Sequence, residues 1–143
     1  MLRLDDVVKT DVFFFKLDVQ GAEFGVLKGA KNLFAVHKVK TLLMEVYPRG
    51  LGHAGVNMFE LLNYMYDDLG LFCSTASGSF GNHANSIKEF AAMLETKTDA
   101  TWWGAFDDVF CFSNKKTWNT RRRLIGGMDN MGMEVENLMA ALL

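Results

Sequence analysis

The stretch Val12-Phe13-Phe14-Phe15-Lys16-Leu17-Asp18-Val19-Gln20-Gly21-Ala22-Glu23 decides the fold. An apolar run that ends in Asp, then Gly, then an amphipathic segment is the pattern of a buried strand turning into a helix. It gathers three ionisable side chains, Lys16, Asp18 and Glu23, around one turn. In open α/β sheets, ligands bind in the crevice beyond the carboxyl ends of the strands, so this turn is the first place to look for a site. Working outward, Val12–Val19 reads as the first strand and Gly21 allows the tight turn. Ala22–His37 reads as a helix, with Val26, Leu27, Ala30, Leu33 and Phe34 at helical spacing. Glu23 in its first turn and His37 and Lys38 in its last complement the helix dipole. Val39–Val46 is a second buried strand, ended by Tyr47-Pro48-Arg49-Gly50.

Beyond Gly50 a glycine-rich loop runs to Val56. Asn57 and Glu60 have the spacing of a capping box ahead of a helix bearing Phe59, Leu62, Met65 and Leu69, and Gly70 is its stop. Leu71–Thr75 reads as a third strand and Ala76–Asn85 as a loop. Ser86 and Glu89 form a second capping box for a short helix that includes Ile87, Phe90, Ala91 and Leu94. Thr96–Ala105 is a loop containing Trp102-Trp103, and Val109–Ser113 is the last strand. Strands alternating with helices predict an α/β architecture around a mostly parallel sheet. Residues 1–116 read as the folded domain and 117–143 as a weakly helical or disordered tail carrying Arg121-Arg122-Arg123.

With 143 residues, half of them apolar and 12 of them Phe, the chain has the material for one sizeable core. A formal net charge of −2 gives no general attraction to nucleic acid or to an anionic membrane. Cys73 and Cys111 lie far apart, each in an apolar run, which predicts buried, reduced thiols rather than a disulfide framework. His37, His53 and His83 lack the spacing of metal ligands, so no metal is expected. No apolar run reaches the roughly 18 residues of a membrane span. The start Met-Leu-Arg-Leu-Asp-Asp has no signal-peptide core, and a soluble cytoplasmic protein is the expectation.

Each charged candidate has a functional and a structural reading. Asp18, at a strand's carboxyl end, suits orienting a substrate or binding a cation, and equally suits a helix N-cap. Lys16 interrupts an apolar strand and needs a carboxylate partner, Asp18 or Glu45. Glu23 suits either catalysis or the helix dipole. Glu45, at the end of the next strand, would share the crevice with Asp18, and two neighbouring carboxylates shift each other's proton affinity. Trp102-Trp103 suits an acceptor pocket or a loop folded onto the core.

Leu4-Asp5-Asp6, then Phe15 to Glu23, then Val26-Leu27-Lys28-Gly29-Ala30, then Leu43-Met44-Glu45-Val46 closely resemble the FkbM family of S-adenosylmethionine-dependent methyltransferases. The resemblance covers roughly residues 2 to 47 and extends more loosely to Phe112. It implies a Rossmann-like class I methyltransferase fold in which the four strands are strands 4, 5, 6 and 7, adjacent in the order 4-5-7-6 with strand 7 antiparallel, and with flanking helices. It implies S-adenosylmethionine as cofactor and O-methylation of a small-molecule or sugar acceptor. It places Asp18, Glu45, Glu23 and Lys16 on the catalytic side of the site. Gln20 stands where the family usually has Glu, and is uncharged.

Nothing in the chain resembles strands 1 to 3 of that family, whose Gly-rich turn holds the methyl donor. The expectation is therefore an incomplete fold: the C-terminal half of a methyltransferase, inactive alone, such as a partial gene product. Its first strand would be an open apolar edge, of a kind proteins avoid. A missing N-terminal half or a second copy of the chain would cover it. The alternative is a non-catalytic interaction module that pairs through the same strand.

Overall fold

The computed structural model describes residues 2–75, 87–96 and 107–112. A single turn, α1 (Leu4–Val7), precedes β1 (Val12–Leu17), α2 (Glu23–Lys28), α3 (Lys31–Val36) and β2 (Val39–Val46). Then come α4 (Pro48–His53), α5 (Met58–Asn63), a π-helical turn over Tyr64–Asp68, β3 (Phe72–Thr75), α6 (Ile87–Thr96) and β4 (Asp107–Phe112). The four strands form one sheet in the order β1-β2-β4-β3.

That order is the expected 4-5-7-6, but the sheet is mixed rather than mostly parallel. Only β1 and β2 pair in parallel, and β4 runs against both of its neighbours. Strand–helix alternation predicts parallel neighbours when each helix returns the chain to the end it left. Here β4 enters between β2 and β3 from the opposite end. It also begins two residues earlier than the apolar run suggests, at Asp107.

One sheet face carries the main core. Leu17, Leu42, Met44, Val46 and Val109 pack there against Leu27 of α2, Leu61 and Leu62 of α5, Met65 of the π-turn and Leu94 of α6. All are nearly or fully removed from water, and burial of such side chains stabilises by roughly 1.5–3 kcal/mol each.

The single helix expected over Ala22–His37 is two helices, and the cause lies outside the segment. Asp5 of α1 sits at the break. Its backbone N–H donates to the Gly29 carbonyl at 2.9 Å, satisfying the end of α2. Its carboxylate accepts from the Asn32 and Leu33 N–H groups at 3.0 and 2.7 Å, starting α3 afresh. An N-cap supplied from 27 residues away leaves no local signature.

The glycine-rich stretch after β2 is likewise not a loop. Pro48 occupies the first helical position of α4, where its missing N–H costs nothing. The capping expectation at Asn57 holds: its side chain accepts from the Glu60 N–H at 2.8 Å. Gly70, at φ +64°, ends the helical run as expected.

The cysteines correct a further expectation. Cys73 and Cys111 are register partners across β3 and β4 and form a disulfide, not separate reduced thiols. Their separation of 38 residues hid this, because strand register rather than chain proximity brings them together. No described helix is long and apolar enough to cross a membrane. The tail, Trp102-Trp103 and Arg121 to Arg123 lie outside the described residues.

Candidate functional site

β1 ends at Leu17, which is level with Met44 of β2. One residue further, Asp18 and Glu45 emerge side by side at the carboxyl ends of the two parallel strands. Lys16 reaches forward to the same place: its Nζ lies 3.5 Å from Asp18 Oδ2. Both partners are solvent-exposed, 60% and 39%, so the ion pair orients the groups more than it stabilises the fold.

Glu45 is half-buried, and its carboxyl is held above the usual carboxylate range. Burial is the main cause; a hydrogen bond with Asp18 and the negative charges of Asp18 and Asp108 add to it, while the Lys16 ammonium opposes them. Glu45 and Asp18 are thus neighbouring carboxyl groups, with the Lys16 ammonium on the Asp18 side.

Asp108 is the residue that reading the sequence missed. It is the register partner of Glu45 on β4, and Asp107 is the partner of Val46. The signal was the acidic doublet directly ahead of Val109, an unusual start for a buried strand.

Glu23 is placed elsewhere. Its side chain is fully buried, and both carboxylate oxygens accept from the Gly21 N–H at 2.9 Å. It therefore closes the β1–α2 turn, while Asp18, Glu45 and Lys16 come together without it.

That turn is shaped by two glycines. Gln20 and Gly21 adopt positive φ, +50° and +107°. A Cβ on Gly21 would lie 2.5 Å from the Gly50 carbonyl carbon, and one on Gly50 would lie 2.8 Å from the Gln20 carbonyl oxygen. The start of α4 thus rests backbone against backbone on the turn. This decides whether the turn is a donor site. A nucleotide-type ligand needs free glycine N–H groups and open space at the glycine. Here Gly21 N–H is taken by Glu23, and the space is filled by Gly50. The turn does not fit S-adenosylmethionine.

His37 Nδ1 lies 3.8 Å from Asp11 Oδ1, and His53 is exposed on α4. Among the described residues, no cluster of three His, Cys, Asp or Glu could hold a metal ion. His83 lies outside them.

An α/β sheet with paired carboxylates at the ends of its parallel strands is an arrangement suited to small-molecule chemistry. The family model of the methyltransferase FkbM domain matches residues 1–72, half of the chain. The chain belongs to that family, and at the family level it is a methyltransferase. No curated protein and no solved structure matches the chain.

Proposed function

We propose that this chain is the acceptor-side half of an S-adenosylmethionine-dependent methyltransferase of FkbM type, acting on an oxygen of a small molecule or sugar. Its sheet is half of a Rossmann-like methyltransferase sheet. The observation that carries the reading is the carboxyl pair Asp18–Glu45 with Lys16 beside it, standing at the carboxyl ends of β1 and β2 within the matched family region.

The chain's own residues do the following. Glu45 in its ionised form, made more basic by burial and by Asp18 and Asp108, accepts the hydrogen bond of the acceptor hydroxyl and takes its proton, with Asp18 beside it to orient the acceptor. Lys16 holds Asp18 in place. Glu23 and the Gly21–Gly50 contact keep the turn rigid, so that Asp18 keeps its position. S-adenosylmethionine would supply the methyl group. Since the β1–α2 turn does not fit it, the donor-holding residues in this reading come from a segment or chain that pairs with the outer side of β1. Without that partner the chain is inactive.

The test is calorimetric titration of S-adenosylmethionine into the 143-residue chain, with size-exclusion chromatography of the same sample. No saturable heat, with an associated or aggregated elution, supports the half-enzyme reading. Saturable binding by the monomer would overturn it.

A second reading, an interaction module that pairs through β1, is favoured by one observation: Phe13, on the outer strand, is 51% exposed. The two readings part at the acceptor carboxylates. Adding the donor-binding half of a related enzyme restores methyl transfer in the first reading, and Glu45→Gln abolishes it. In the second reading neither has an effect.

A further inference from the structure

The Cys73–Cys111 bond joins the shortest strand of the sheet to its neighbour. β3 spans four residues and, among the described residues, pairs with β4 alone, at the sheet edge. The Tyr66 side chain also holds it: the ring meets Phe72 edge to face, and the hydroxyl binds the Cys73 backbone. That hydroxyl donates to the Cys73 carbonyl and accepts from the Cys73 N–H, both at a long 3.3 Å. β4, in contrast, is paired on both sides, with six register partners on β2. The cheapest local opening of this sheet is therefore the release of β3, and the disulfide is what opposes it. Both cysteines are buried, so a reagent reaches the sulfurs only when β3 opens.

We propose that Cys73–Cys111 is a redox latch on the β3 edge, opened by a small dithiol and closed by the corresponding disulfide. In opening, a thiolate of the dithiol attacks one cysteine Sγ. The Sγ–Sγ bond breaks and the other Sγ leaves as a thiolate, which takes a proton. The second thiol of the reagent then displaces the first cysteine from the mixed disulfide. Two electrons and two protons pass to the protein; the products are two cysteine thiols and one oxidised reagent. Once reduced, the cysteines remain as small apolar neighbours, but β3 has lost its covalent tie to β4. β4 stays on β2, so Asp108 stays beside Glu45. The latch thus acts on the β3 edge and leaves the carboxyl pair in place.

The experiment uses the full chain equilibrated with oxidised or reduced dithiothreitol. Alkylation in denaturant followed by intact mass counts free thiols, and amide hydrogen exchange reads each strand. After the oxidised reagent, no thiol is alkylated; after the reduced one, two are. Reduction is expected to speed exchange at Phe72–Thr75 at least about tenfold while Leu42–Val46 changes far less, and to lower the thermal midpoint by roughly 10 °C. A double variant, Cys73→Ser with Cys111→Ser, should match the reduced wild type; if it does not fold, the reduced wild type carries the test. Two free thiols after the oxidised reagent, or equal exchange at β3 in both states, would overturn the proposal.

Discussion

At one edge of the sheet, β3 is tied to β4 by a disulfide, and the Tyr66 hydroxyl covers the Cys73 backbone. At the other, no described strand pairs with the outer side of β1. Its Phe13 ring is half exposed, with the Lys40 ammonium 4.4 Å from the ring centre. The difference follows from what each strand buries. β3 spans only four residues, and a covalent bond adds to its ladder. β1 is anchored by Leu17 in the core and by the Gly21–Gly50 contact at its end. Its outer edge can therefore stay open without the strand coming loose. An edge that is well anchored yet unprotected suits pairing with a partner.

The comparison breaks most severely at the anchor of β1. Gly21→Ala forces a side chain into positive φ and onto the Gly50 backbone. Its expected cost is about 3 kcal/mol or more, read as a fall in the urea midpoint. Gly55→Ala, at φ +74° with open space around it, isolates the backbone part of that cost at about 1 kcal/mol. Equal losses at the two positions would mean that the close approach of turn and α4 contributes nothing.

The β3 edge responds less. Tyr66→Phe removes two long hydrogen bonds from the Cys73 backbone, at an expected cost of about 1 kcal/mol. Its amide exchange should quicken at Cys73 and not along β1; quickening along both edges would show that Tyr66 supports the whole sheet.

Smaller again is the pH response of Glu45. Its folded-state proton affinity is raised, so the folded protein holds this proton to higher pH than the unfolded chain does. Its contribution to stability is present below the ordinary glutamate range. It is lost as pH rises through the higher folded value. Glu45→Gln should flatten that fall and leave the variant the more stable protein at neutral pH. Urea midpoints measured from pH 4 to pH 8 read both slopes, and parallel curves would remove Glu45 as the source.

The smallest effect on stability is expected at Phe13→Lys. Substitution on the outer strand should change the urea midpoint by no more than about 0.5 kcal/mol, while lowering self-association in sedimentation. Unchanged association would mean that the β1 edge is not where copies meet.

The sequence alone determined both parallel strands, the tight turn at Gly21, the Asn57 cap, the strand order by way of the family resemblance, and the meeting of Asp18, Glu45 and Lys16. These readings rest on local patterns, periodicity and capping, or on motifs at fixed offsets. Only the tertiary structure decided the break at Gly29–Ala30, because the cap comes from Asp5. It alone decided the pairing of Cys73 with Cys111 and the arrival of Asp108 beside Glu45. In each of these cases residues far apart in the chain satisfy one another's hydrogen bonds, charge or register. The physical reason is that such contacts form only when the sheet assembles and leave no period or spacing in the chain itself.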